Sequence, residues 1–280
     1  MKLSAMLVAP AICLLTGWSE VAEGSQPVAD SRLVLWLDAQ DIDGDGQEEL
    51  FDRAVHGRPI DRWADKSSHG NHATRRALEQ QPTLCVGDGG PHATTLRFTA
   101  AHRQFLSAGH ASSLQLGHLT AFVVARATAD AANMWLFGKN DWGPPWTGYG
   151  VAVSRDGLHS WPHLGLGRDD AAKGMQVRHA RSLGQELGIV EICYDGHHFS
   201  QRLNGHRDRG VAVRAGILVN ERDLLIGAGP QSTPPCEYLQ GEIAEVLLYR
   251  QALEADECRR VRQYLSAKYG VPLADADGAP

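Results

Sequence analysis

The segment Asp41-Ile-Asp43-Gly-Asp45-Gly46-Gln47-Glu48-Glu49-Leu50-Phe51-Asp52 carries the sharpest chemical pattern of this sequence. Aspartates stand at its first, third and fifth positions, glycine at the sixth and a carboxylate at the twelfth. Alternate residues of a tight loop aim their side chains at one centre, and calcium takes roughly six to eight hard oxygens. Asp41, Asp43 and Asp45 would supply carboxylates and the Gln47 carbonyl another oxygen. Asp52 would close the shell, with a shorter reach than glutamate. Gly46 permits the bend. The acids of this stretch repel one another unless a cation sits among them. The alternative is a solvated Asp/Gly turn. The expectation is a calcium-bound loop that stabilises and does not catalyse.

A second constellation is aromatic. Lys139-Asn140-Asp141-Trp142-Gly-Pro-Pro-Trp146-Thr-Gly-Tyr149 precedes Trp161 in Ser160-Trp-Pro-His163. Indole faces stack on the C–H faces of sugars, and Asn or Asp groups fix hydroxyls. Asn140, Asp141, Trp142, Trp146, Tyr149 and Trp161 are therefore the candidate ligand-binding residues. The competing reading packs these aromatics inside. Trp36 and Trp63 are expected in the core.

Other constellations argue against catalysis. His197-His198 and the His69/His72 pair lack a metalloprotease pattern and read as solvated turn histidines. His110 and His118 show no partner. A retaining glycosidase needs two carboxylates about 5 Å apart. Glu191-Ile-Cys193-Tyr-Asp195 lacks the acid spacing of such a strand. Glu242 and Glu245 fall on opposite faces of a regular strand. No Gly-x-Ser-x-Gly elbow is present. No catalytic residue is assigned.

These groups need a frame, and the composition allows a large one. The chain has 280 residues, 43% hydrophobic and 21% charged, with a net charge of −6. That excludes a disordered chain and disfavours a nucleic-acid partner, which normally meets a basic face. Short apolar runs recur between turn signals: Leu33–Leu37, Thr95–Phe98, Leu119–Arg126, Met134–Phe137, Tyr149–Val153, Leu187–Tyr194, Asp223–Ile226 and Ile243–Tyr249. Asp156-Gly157, Asp195-Gly196 and Asn204-Gly205 read as hairpin turns. Many short strands point to an all-β sandwich or barrel. One helix is expected, over Leu253–Tyr269. Acids open it, Val261, Tyr264, Leu265 and Tyr269 line one face, and Gly270 and Pro272 stop it.

Several segments carry a family resemblance. They are Leu33-Val-Leu-Trp-Leu-Asp-Ala39, Trp63-Ala-Asp-Lys-Ser-Ser-His-Gly-Asn-His-Ala73, Leu96-Arg-Phe98, Phe105-Leu-Ser107 and Leu119–Val124. Gly241-Glu-Ile-Ala-Glu-Val-Leu-Leu-Tyr-Arg-Gln-Ala-Leu253 and Tyr264-Leu-Ser-Ala-Lys-Tyr-Gly270 close the set. Over residues 31–273 the chain resembles the laminin-G-like, concanavalin A-like lectin/glucanase superfamily in its secreted bacterial form. The resemblance implies a jelly-roll β-sandwich of two antiparallel sheets, with Gly241–Arg250 running back beside the first strand and a short C-terminal α-helix. Such domains bind glycans or proteins, some cleave polysaccharides and some hold calcium. The acidic loop itself resembles those of EF-hands and dockerins. The expected function is non-catalytic recognition of an extracellular glycan; the alternatives are a structural or cell-surface protein-adhesion domain, or a polysaccharide hydrolase or lyase.

The chain opens with Lys2, an apolar run from Leu3 to Trp18 and small residues around Ala22-Glu23-Gly24. This reads as a secretory signal peptide over 1–24, too short and interrupted to span a membrane. A secreted, periplasmic or cell-surface location follows. In an oxidising compartment Cys85, Cys193, Cys236 and Cys258 form two disulfides or remain four buried thiols. Residues 274–280 read as a flexible tail.

Overall fold

Runs of β-branched and aromatic residues, broken by Asp, Asn and Gly turns, form strands in the computed structural model. It describes residues 27, 30–48, 56–87, 93–127, 133–141, 147–154, 157–160, 177–178, 181, 183–208, 210–212, 216–230 and 233–274. In chain order the strands are β1 (Leu33–Asp38), β2 (Arg62–Trp63), β3 (Ala73–Thr74), β4 (Thr83–Cys85), β5 (Thr95–Phe98), β6 (Leu106–Ser107), β7 (Leu119–Ala127), β8 (Met134–Asp141), β9 (Thr147–Ser154), β10 (Gly157–Ser160), β11 (Val177–Arg178), β12 (Gly188–Tyr194), β13 (His198–Leu203), β14 (His206–Arg207), β15 (Val211–Ala212), β16 (Leu225–Ile226) and β17 (Gly241–Tyr249). The helix α1 spans Ala255–Tyr269.

Two antiparallel sheets result. The first runs β14-β13-β12-β7-β17-β5-β4, with β1 on β17 and β15 on β13. The second runs β11-β10-β9-β8-β16-β6-β3-β2. β17 divides one edge between two partners: Gly241–Ile243 pair with β5, and Glu245–Tyr249 pair with β1. The expected sandwich with a C-terminal helix is the fold.

Strand alternation sorts the apolar residues into two cores. From β7, Ala121, Val123 and Ala125 enter the layer between the sheets, while Phe122 and Val124 face the helix. Trp63 joins the first core and Trp36 the second. On α1, Cys258, Val261, Tyr264, Leu265 and Tyr269 pack onto the first sheet. That coverage explains why β17 is buried along its whole length. Glu257 anchors the helix start: its carboxylate accepts from the Glu254 amide at 3.0 Å and from Arg32 at 2.6 Å. Gly270, at φ 64°, ends the helix in the left-handed region as expected.

A bulge between Ile243 and Glu245 corrects one expectation. Glu242 and Glu245 do not fall on opposite faces. The extra residue turns both outward, Glu242 toward Thr95, Arg97 and Arg126, and Glu245 toward α1.

The Asp65–Asn71 segment is a clamp. Buried Asp65 accepts from the Trp36 and Asn71 amides and from Ser67. Asn71 donates to the Val34 carbonyl at 2.7 Å. The segment thereby satisfies backbone groups of β1 and pins its edge.

Cys85, Cys193, Cys236 and Cys258 form no disulfide among the described residues, so of the two alternatives the thiol one holds. They sit on β4, on β12, in the segment before β17 and on α1, and two cores supply the burial that staples provide in small domains. Burial pushes the Cys85, Cys193 and Cys258 thiols up. The signal-peptide residues 1–24 and tail residues 275–280 lie outside the described residues. Ala274 donates its amide to the Asn204 carbonyl at 2.8 Å.

Candidate functional site

The acidic loop leaves β1 directly. Asp41, Asp43 and Asp45 each offer one carboxylate oxygen, and these lie within 4.8 Å of one another. Asx turns shape the loop: the Asp45 amide donates to Asp43 at 3.2 Å and the Gln47 amide to Asp45 at 2.8 Å. Gly44, at φ 77°, packs so closely on Ala64 that a Cβ would approach the alanine methyl to 2.9 Å. Asp41 is 3% exposed, and its Oδ1 is buried with no partner. Gln47 is exposed, and Asp52 lies outside the described residues.

The loop terminates a buried chain of alternating charges. Glu245 accepts from Lys268 at 2.8 Å; Lys268 also reaches Asp38 at 2.7 Å. Lys66 bridges Asp38 at 3.2 Å and Asp41 at 2.7 Å. Burial pulls the Lys66 ammonium down, but its two aspartates win and hold it above the usual lysine value. Three carboxylates against two ammoniums leave one negative charge in the chain, and Asp43 and Asp45 add to it. Lys66 is a partner that the sequence pattern missed; its position in the Asp-Lys-Ser-Ser segment was the available signal.

The second candidate lies at the far end of the β8–β9 hairpin. Phe137, Tyr149, Val151 and Val153 point between the sheets. Trp135 and Asn140 lie on the outer face: a Cβ at Gly138 would meet Asn140 Oδ1 at 2.7 Å and the Trp135 ring at 2.9 Å. The glycines at 138 and 150 leave room for that ring. Its indole N–H donates to Glu237 at 2.6 Å. Asn140 is fully buried, and neither its Oδ1 nor its Nδ2 has a partner. Asp141, half-buried, pairs with Arg222 at 3.0 Å. Lys139 is 1% exposed and closes this end. Its ammonium donates to the Asn220 and Arg222 carbonyls and contacts His110 Nδ1 at 3.0 Å. Burial pulls this lysine down to about 8, with Asp223 pulling back. Asn220 returns a bond to Thr147 at 3.1 Å. Leu218 and Val219 stand exposed beside it.

Tyr149 is not a surface ligand residue. It is 1% exposed, packs on Phe137 and donates its hydroxyl to the Leu114 carbonyl at 2.9 Å. Alternation along β9 sends it inward with Val151 and Val153. Asn140 and Asp141 stay together at the hairpin end; Trp142, Trp146 and Trp161 lie outside the described residues. His197 and His198 are exposed at the Asp195-Gly196 turn. His72 is engaged, its Nδ1 accepting from the Asp65 amide at 3.0 Å. His110 has a partner after all, in Lys139.

No protein-family model and no curated protein matches the chain. Solved structures do. The chain is similar to the binding domain of Paraclostridial Mosquitocidal Protein 1 (TM-score 0.56, 12% identity, 84% of this chain and 52% of that one). It is similar to the binding domain of Botulinum Neurotoxin DC in complex with SialylT (TM-score 0.53, 10% identity, 85% and 52%). It also resembles Domain 4 of AbnA, a GH43 extracellular arabinanase from Geobacillus stearothermophilus, in complex with arabinotriose (TM-score 0.51, 10% identity, 83% and 98%). The chain spans about half the length of the two toxin binding domains. Identities this low establish the fold alone: a β-sandwich.

Proposed function

We propose that this protein is a secreted, laminin-G-like recognition domain that binds a glycan at the β8–β9 end and holds calcium in the Asp41–Asp45 loop, without catalysing a reaction. The Asn140 amide carries the glycan reading. A buried amide with both donor and acceptor unmet is a cost that packing alone does not explain, and the half-exposed Asp141 carboxylate next to it, held by Arg222, can accept from a sugar hydroxyl. Trp142 and Trp146 follow it in the chain and supply stacking faces in this reading. The solved sandwiches in complex with SialylT and arabinotriose support a carbohydrate ligand. The non-catalytic reading rests on commitment of the buried acids: Glu191 and Glu242 are held by arginines and Glu245 by Lys268.

The test is a glycan array that includes sialyllactose and arabinotriose, followed by titration of Asn140→Leu. Wild type binds saturably. The variant removes an unmet polar group, so it is expected to be about 1 kcal/mol more stable to urea, while glycan affinity falls about tenfold. Unchanged affinity rejects the site. Release of reducing sugar or unsaturated product rejects the non-catalytic reading.

The calcium reading rests on the unpartnered Asp41 Oδ1. Calcium–oxygen distances of about 2.3–2.6 Å put opposed ligands about 5 Å apart, which suits the spacing of the three carboxylates. Calcium at about 100 times its Kd is expected to stabilise the fold by about 2.7 kcal/mol, and a chelator to reverse this. Calorimetry showing no uptake, or equal uptake by Asp43→Ala, rejects these ligands.

A further inference from the structure

We propose that a cavity on the outer face of the first sheet, remote from the β8–β9 end, binds a neutral sugar residue. The cavity measures about 390 Å³ and lies where the carbonyl end of α1 meets β5, β7 and the start of β12. Arg126, Glu186, Leu187, Asn204, Val271 and Pro272 line it. Small-ligand sites occupy roughly 300–1,000 Å³, so one sugar ring with part of a second fits.

The floor is fixed in advance. Arg126 commits Nε and Nη2 to Glu242, at 3.1 and 2.7 Å. Thr95 donates to the same carboxylate at 2.7 Å, and Arg97 reaches its other oxygen at 3.0 Å. Burial raises the Glu242 pKa, but these donors outweigh it and hold the group ionised. Arg126 is thereby immobilised with Nη1 left over as a donor. Asn204 Oδ1 accepts from the Ile189 amide at 2.7 Å, which leaves its Nδ2 hydrogens. Glu186, exposed at the rim, supplies acceptors. Leu187, Val271 and Pro272 form an apolar wall. Donors, acceptors and an apolar wall together match the hydroxyls and C–H faces of a sugar.

Charge selects a neutral one. Glu242 offsets the Arg126 charge, and both Glu186 and the negative end of the α1 dipole oppose an anion. A carboxylate-bearing sugar gains nothing here.

The experiment is methyl NMR on the full chain with labelled Leu and Val, titrated with lactose, arabinotriose and sialyllactose. The Leu187 and Val271 methyls are expected to shift saturably with lactose or arabinotriose, and sialyllactose to bind no tighter than lactose. Glu186→Ala and Leu187→Trp each weaken the Val271 response by about tenfold, whereas Asn140→Leu leaves it unchanged. That last arm keeps this cavity separable from the glycan site proposed above. Methyls unmoved by either neutral glycan, a response undiminished in both variants, or tighter binding of sialyllactose overturns the proposal.

Discussion

Replacing Glu245 by alanine is expected to destabilise the protein by about 3–5 kcal/mol, read by equilibrium urea unfolding. The Glu245 side chain is fully buried. It accepts from the Trp36 indole at 2.8 Å, from Tyr264 at 3.0 Å, from Tyr269 at 2.7 Å and from Lys268 at 2.8 Å. Burial pushes its carboxyl pKa up, and Lys268 pulls it back. Truncation leaves buried donors from β1 and α1 unmet at once, and an unpaired buried donor costs more than the bond it made. Asp38 still faces Lys268, so the ammonium keeps one partner. Glu245→Gln retains an acceptor and is expected to lose distinctly less. A loss below about 1 kcal/mol for the alanine variant would show that this network does not hold the helix to the sheet.

Gly148→Ala is expected to cost about 3 kcal/mol or more and to abolish glycan binding at the β8–β9 end. Gly148 sits at φ 84° in the left-handed region. A Cβ there would stand 1.7 Å from the Lys139 carbonyl oxygen and 2.5 Å from the Asn220 amide nitrogen. The first obstacle is backbone, so no rotamer relieves it. Relief requires separating β9 from β8, which also breaks the Asn220 bonds that frame Asn140 and Asp141. Thermal unfolding and glycan titration check the two halves of this expectation. A variant with wild-type stability would mean the hairpin end has another backbone path.

The two substitutions bracket what was legible in the sequence. Strands such as Leu119–Ala127 and the stop at Gly270 were readable because alternation, turn chemistry and capping act within a few residues. The acidic loop was readable for the same reason: Asp41, Asp43 and Asp45 converge through their own local turns. The burial of Tyr149 was harder to read. Its nearness to Trp142 and Trp146 groups it with the aromatic ligand candidates, but strand pairing with β8 decides its face.

What the sequence determined by itself was an all-β frame of short strands, its helix and the acidic loop, since nearest-neighbour backbone preferences specify each of them. Only the tertiary structure decided that a bulge brings Glu242 and Glu245 to one face. It alone joined Lys66 to Asp41, left the Asn140 amide unmet and opened the cavity beside Gly270. Those features arise between segments far apart in the chain, where strand register, and not local preference, sets which side chains meet.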